Sequence, residues 1–436
     1  MKHKIVGVFI CTLMIATSIL PVGGTIYTQL PPPGSTSMIL EETLWRRSSI
    51  RNFTTEPVSI QDLSTILWAA YGVRGDGSRT ISPFNGVYAV RIYVLQADAV
   101  YYYQPSNHSL VFYKNGDYRS VCPYPSPVVL GLVWNNSLDP DGNVSTLEVG
   151  AVGQNIQLMA NALDLGCVTC GDFPPYQTLQ RIGLPKHETG RIIIPLGHLL
   201  HPYNFHYFPF WISLLPKIQK SSMSLSDAVK TRNETDTFTG ELPQTLQIQI
   251  LWSAYGCSYY VDKSEFSFSY HISRHRTVPS AHGYYPLQIY GATATGAYQY
   301  IPNIYDVIKF ITVLPEFPFP VITYTKKIIS NDIRGTIASA TANPSCAQAP
   351  LLIIIVLNVN KTRPQGNNDF SGPGFRWLWY YEAGAAAHNV QLEAAAWNLT
   401  ANSYLPIDSE IIRSALTLSD NFVPCLVIPI GSQIHP

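Results

Sequence analysis

The sequence predicts an α+β fold built twice in one chain, as two tandem domains of the same kind. Three observations carry this. RTISPFNGVYAVRIY (79–93) recurs as RTVPSAHGYYPLQIY (276–290), without a gap, at an offset of 197. Further segments recur in the same order at wider offsets: SPVVLG (126–131) as APLLII (349–354) at 223, and LEVGAVGQNIQL (147–158) as YEAGAAAHNVQL (381–392) at 234. Each copy also alternates helical and strand periodicity in one order. A repeat unit of about 200 residues is too long for a solenoid unit and has the size of a domain.

The elements follow in chain order. VSIQDLSTILWAAYG (58–72) puts Leu63, Ile66, Leu67 and Ala70 at helical spacing with Gly72 as the stop, and LQIQILWSAYG (246–256) answers it. RIYVLQADAVYYYQ (91–104) alternates, is rich in aromatics and breaks near Asp98, as a hairpin does. PVVLGLVW (127–134) and RIIIPLG (191–197) are β-branched runs suited to buried strands. Between them, TLEVGAVGQNIQLMANALDLG (146–166) is the long core helix. Its small residues Gly150, Ala151 and Gly153 mark where the halves are expected to meet, because small side chains let a second helix approach closely. Residues 201–225 match neither copy and form the expected bridge. The domains are therefore 40–200 and 226–436, with the linker 201–225 between them.

Composition narrows the function classes. With 46% hydrophobic and 13% charged residues, the 436-residue chain can bury a large core. Its 28 basic and 28 acidic side chains form no basic stripe, which argues against nucleic-acid binding. Residues 1–24 begin with MKHK and continue through the apolar run IVGVFICTLMIATSIL, so they read as a signal peptide or an N-terminal membrane anchor. An exported, extracytoplasmic protein is expected, and the Asn-x-Ser/Thr sites at Asn52, Asn107, Asn135, Asn143, Asn233, Asn360 and Asn398 agree with it. Beyond the leader stand six cysteines. Cys167-Val-Thr-Cys170 lacks a second half-motif for zinc, so no metal is expected; structural thiols or a disulfide remain open.

RRSSIRNF (46–53) crowds arginines and hydroxyls together, a donor set suited to phosphate. With RTVPSAHGYYPLQIY, AVYYYQPSNHSLVFYKNGDYRS (99–120), LEVGAVGQNIQLMANALDLG (147–166) and the LQRIGLP…IIIPLGH tail (179–198), it resembles the FMN-dependent nitroreductase family. The resemblance is closest to the azoline (thiazoline/oxazoline) dehydrogenase, or SagB-type, branch. It spans most of residues 40–200, with a weaker copy over 225–435.

The resemblance implies an FMN-dependent oxidoreductase whose flavin sits between two protomers, with hydride transfer through flavin N5. Here the two halves would form an internal pseudo-dimer within a monomeric chain. It assigns the FMN phosphate and ribityl chain to Arg47, Ser49 and Arg51, and the flavin surroundings to Pro279, Ser280, Ala281, His282 and Gly283. Cys170, Gly171 and Asp172 would supply the backbone facing N5. Tyr284, Tyr285, His282 and Arg376 are catalytic candidates, and Tyr380 and Tyr381 could shape a pocket for a small-molecule or peptide substrate. The Lys-Tyr pair of the azoline branch is missing from NNSLDPDGNVSTLE (135–148) and NNDFSGPGFRWLWYYE (367–382).

The copies have diverged in a complementary way. The arginine motif becomes KTRNETDTF (230–238), where Glu234 and Asp236 would repel a phosphate; PSAHG becomes SPFNG (82–86) in the first half. One composite site is therefore expected, from the first half's arginines and the second half's PSAHG. The alternative is a flavin-free protein that keeps the fold as a binding or scaffold module.

Overall fold

The computed structural model of the chain describes residues 27–172, 177–202, 205–206, 211–258, 260–261, 275–304, 321–363 and 369–432. The leader expected at 1–24 lies outside them. Among the described residues no helix is long and apolar enough to cross a membrane.

Each half is an antiparallel-rich sheet with helices against it. The first half contains helices α1 (Leu40–Arg46), α2 (Ile60–Tyr71) and α3 (Asn143–Ala162). Its strands are β1 (Tyr27–Gln29), β2 (Val90–Leu95), β3 (Ala99–Gln104), β4 (Ser109–Asn115), β5 (Val128–Asn135), β6 (Leu165–Cys167), β7 (Cys170–Gly171) and β8 (Glu188–His198). They pair in the order β1-β4-β3-β2-β5-β8-β6, with β7 on β8. The bridge holds β9 (Phe205–His206) and β10 (Trp211–Ser213).

The second half repeats the plan with helices α4 (Leu225–Thr231), α5 (Gln244–Tyr255), α6 (Arg334–Ser339) and α7 (Arg376–Ala396). After β11 (Tyr260–Val261), which pairs with β9, come β12 (Leu287–Thr293), β13 (Gly296–Ile301), β14 (Val321–Ile329), β15 (Leu351–Asn358), β16 (Thr400–Ala401) and β17 (Phe422–Gly431). Their order β10-β14-β13-β12-β15-β17-β16 mirrors the first sheet. One detail breaks the symmetry. The edge strand β1 runs antiparallel to β4, whereas β10, drawn from the bridge, runs parallel to β14.

Local chemistry explains the elements. In α2 the Ser59 hydroxyl accepts from Asp62 N, and the helix stops at Gly72, where a Cβ would lie 2.6 Å from the Trp68 carbonyl oxygen. Gly256 ends α5 against Trp252 in the same way. Strands β5 and β15 are buried on both faces, so they read as continuous apolar runs rather than alternating ones.

The halves meet where the small residues stand. Helices α3 and α7 are buried almost all round, as central helices of a shared core are. A Cβ on Gly150 would lie 2.1 Å from the Tyr381 carbonyl oxygen, and one on the mirror residue Gly384 would lie 1.9 Å from that of Leu147. Only glycine permits this approach. Polar side chains then lock the register: Gln154 Nε2 donates to Asn389 Oδ1 at 2.9 Å, and His388 Nε2 lies 2.8 Å from Asn155 Oδ1. One continuous hydrophobic core runs through both halves.

Candidate functional site

The stretch after α1 is laid across the end of the first sheet. Ile50 N donates to the Cys167 carbonyl at 2.9 Å, and Phe53 bridges Leu199, so the part of RRSSIRNF that follows α1 is held beside β6. Below it, β7 pairs with β8 and exposes the edge of Thr169–Gly171. Across the gap stand the 279–282 loop and the first turns of α7. Together these segments enclose a cavity of about 600 Å³, within the range of small-molecule and cofactor sites.

The cavity wall comes from both halves. Ser49, Arg51, Cys170 and Gly171 lie on one side, with Pro279, Ser280, Ala281 and His282 opposite. Arg51 reaches the Ser49 carbonyl at 3.2 Å and lies 5.8 Å from the centre of the Tyr124 ring, leaving donor capacity at the opening. No carboxylate is among the described residues that line the cavity, so an anion entering it meets a hydroxyl and a guanidinium without repulsion. This donor set fits a phosphate-bearing planar cofactor.

Other sequence-assigned residues stand behind the wall. Arg47 is 2% exposed; its Nε donates to the Arg276 carbonyl at 2.9 Å and its Nη1 to Gln157 Oε1 at 3.1 Å. Asp172 is buried and turned away, accepting from Thr178 N at 2.6 Å and Leu179 N at 3.1 Å, while its own N–H donates to the Arg191 carbonyl. Gly283, with φ +68°, closes the 281–283 turn.

The catalytic candidates divide similarly. His282, held at φ +53°, stacks on Phe370 at 4.9 Å, and burial lowers its imidazole pKa. Tyr284 stacks on Trp379 rather than facing the cavity. Tyr285 is buried at φ +47°, a costly conformation for an aromatic residue, and its N–H donates to Ser280 Oγ at 2.9 Å. Arg376 begins α7 but is not in the wall; Tyr381 is, joined by Trp377 and Leu378, which the sequence reading missed. Their spacing along FRWLWYYE places 377, 378 and 381 on one helical face, a signal available in the sequence once that helix is known to cap a cavity.

The mirror-related region is built differently. Arg232, the counterpart of Arg47, is buried and paired with Glu234, which stands where Ser49 does in the first half. Ser82 Oγ donates to Glu234 at 2.7 Å and receives Arg232 Nη1 at 2.7 Å. Asp236, in the place of Arg51, accepts from Tyr404 OH and from Asn402 Nδ2. Carboxylates therefore stand at the positions where the first half carries Ser49 and Arg51.

The described cysteines are all free. Interaction between the Cys122 and Cys170 thiols lowers the pKa of Cys122 and raises that of Cys170, while burial pushes Cys167 up to about 12. Cys122 of the 119–122 turn and Cys170 of β7 pack in one apolar cluster, a neighbourhood that the sequence left open. Among the described residues no group of three or more His, Cys, Asp or Glu could hold a metal.

The sequence pattern of the nitroreductase family matches residues 44–198 and again 240–432. A curated protein of Methanocaldococcus jannaschii, named as a nitroreductase, is 31% identical over 197 residues, covering 40% of this chain and 98% of its own. A crystal structure from Anabaena variabilis, titled a nitroreductase, superposes with a TM-score of 0.64 at 14% identity, covering 93% of this chain and 94% of its own. That likeness of fold extends over both halves.

Proposed function

The chain belongs to the nitroreductase family, and from that premise we propose that it is an FMN-dependent oxidoreductase with a single composite flavin site between its halves. One observation carries the reading. The cavity draws Ser49 and Arg51 from the first half and Pro279–His282 from the second, whereas the mirror region carries Glu234 and Asp236 in place of Ser49 and Arg51.

When bound, FMN supplies two-electron chemistry, and the protein supplies placement and electrostatics. Ser49 Oγ and the Arg51 guanidinium would hold the phosphate. The Thr169–Gly171 edge and the 279–282 loop would grip the ring system from opposite halves, and Trp377, Leu378 and Tyr381 would exclude water from one side. A small molecule or peptide is the substrate class that the remaining opening admits. The RRSSIRNF and PSAHGYYPLQIY motifs favour the SagB-type branch as the nearest architecture, and the missing Lys-Tyr pair weighs against azoline oxidation as the reaction. The basic, apolar leader favours an extracytoplasmic site of action, where nicotinamide donors are scarce and another electron partner is required.

Purified full-length chain tests this directly. Visible flavin absorption with one FMN per chain is expected, and it should be lost in both Arg51→Ala and Ser280→Trp, whose positions lie in different halves. Two FMN per chain would defeat the single-site reading. Colourless protein that ignores added FMN would favour the flavin-free scaffold.

A further inference from the structure

The pseudo-symmetry places a buried glutamate on each central helix, and the two differ in one contact. In the first half Glu148 accepts from Tyr71 OH at 2.5 Å through Oε1 and from the backbone N–H of Ala89 at 2.9 Å through Oε2. In the second half Glu382 keeps the first contact, with Tyr255 OH on Oε1. Ala89 aligns with Pro286, at the offset of 197 that relates the two phrases, and proline has no N–H to give. The second oxygen of Glu382 instead takes the Ser280 hydroxyl, at 2.6 Å. Ser280 lines the composite cavity; Glu382 is 0% exposed.

We propose that Glu382 is a proton reservoir for the composite cavity, delivering through Ser280 Oγ, and that Pro286 creates this connection by withholding a backbone donor. The proposal rests on the composite-site reading above and names the residues that move the proton. A serine hydroxyl has one donor and two acceptor positions. Tyr285 N–H occupies one acceptor position at 2.9 Å. When Glu382 carries its proton on Oε2, that O–H fills the other, and Ser280's own hydrogen turns toward the cavity. The step then balances: Ser280's hydrogen passes to a ligand atom that gains negative charge on reduction, and the Glu382 proton passes to Ser280 Oγ. The carboxylate left behind is held by Tyr255 OH, with Arg276 nearby; one proton has moved in all.

The charge environment suits a reservoir. Burial pushes the Glu382 carboxyl up to about 8, against the lowering influence of Ser280, Tyr255 and Arg276. Tyr285, facing from the same loop as Arg276, is itself pushed up by burial and stays neutral. Glu382 therefore holds a proton at neutral pH, where an ordinary glutamate has lost it.

The test uses the full chain and its Glu382→Gln, Ser280→Ala and Pro286→Ala variants. In the FMN-free chain, infrared difference spectra across pH follow protonated carboxyl groups. Glu382 and Glu393 both titrate near 8; the Glu382 share of that component is expected to vanish in Glu382→Gln, leaving the share of Glu393. The Glu382 share should move to higher pH in Ser280→Ala, which loses a donor to the carboxylate, and to lower pH in Pro286→Ala, which gains one. In the FMN-loaded chain, the rate of flavin reoxidation by a water-soluble quinone should fall about tenfold per pH unit above that midpoint. This limb should shift down with Pro286→Ala and flatten with Ser280→Ala. A component near 8 left undiminished by Glu382→Gln, a Glu382 midpoint moved by neither loop variant, or a pH limb that persists in Ser280→Ala overturns the proposal. Failure to bind FMN sinks the oxidoreductase reading by itself, while the FMN-free titration still passes or fails the Glu382–Ser280 connection.

Discussion

Arg47 Nε donates to the main-chain carbonyl of Arg276 at 2.9 Å, tying the arginine motif of one half to the loop that leads into β12 of the other. The mirror residue Arg232 donates to the Arg79 carbonyl at 3.2 Å. Both guanidiniums are almost fully buried. Such a pair of reciprocal bonds holds the halves in register, in a place where losing a donor strands a buried carbonyl.

Arg47→Ala should therefore act on stability. An unfolding free energy lower by about 2 kcal/mol is expected from the unsatisfied acceptors, read as a shifted denaturant midpoint at constant slope. Loss of FMN binding with the midpoint unmoved would instead make Arg47 a phosphate ligand.

Gly384→Ala places a methyl group 1.9 Å from the Leu147 carbonyl oxygen. On an exposed helix the change would gain about 1 kcal/mol. Here the helices must part, and a net loss of about 3 kcal/mol is expected, measured by chemical unfolding. Gly335→Ala, with open space around it, is the control on a helix surface.

Stability should fall as pH rises from mildly acid to mildly alkaline. Burial raises the carboxyl of Glu148 to about 7 and those of Glu382 and Glu393 to about 8, from an ordinary 4.5. The folded chain then binds protons that the unfolded chain has released. Their stabilisation is complete below about 4.5 and lost as pH climbs through 7 to 8, at about 1.4 kcal/mol per pH unit for each group in its window. Denaturant titrations across this range check it, and a curve that rises with pH would refute the assignment.

Mild oxidation should join Cys122 to Cys170. The two thiols pack in one cluster and act on each other's pKa, while Cys167 is buried with its thiol pushed up to about 12. Peptide mapping by mass spectrometry distinguishes the products, and a Cys167–Cys170 bridge would contradict the geometry.

Much of this architecture was legible in the residues. The offsets of 197, 223 and 234 announced a fold built twice, and the small residues Gly150, Ala151 and Gly153 announced a close helix crossing, because periodicity and small side chains are local properties of the chain. The motifs also carried the flavin-site candidates, and the cavity gathers eight of them from two halves: Ser49, Arg51, Cys170, Gly171, Pro279, Ser280, Ala281 and His282. Where a side chain points was not legible. Arg47 and Arg51 sit four residues apart in one motif, yet one is spent on a carbonyl from the other half and the other faces the opening.

The sequence by itself determined the duplication, the order of elements and the charges that separate RRSSIRNF from KTRNETDTF. Only the tertiary structure decided which atoms meet: Cys122 with Cys170, Glu234 with Arg232 and Ser82, and Glu382 with Ser280. The physical reason is that repeating patterns are written along the chain, whereas a hydrogen bond depends on what the facing half presents. A proline at 286 where its mirror is an alanine shows the difference, since the residue change is plain in the sequence and the carboxylate it redirects lies 96 positions away (286 to 382).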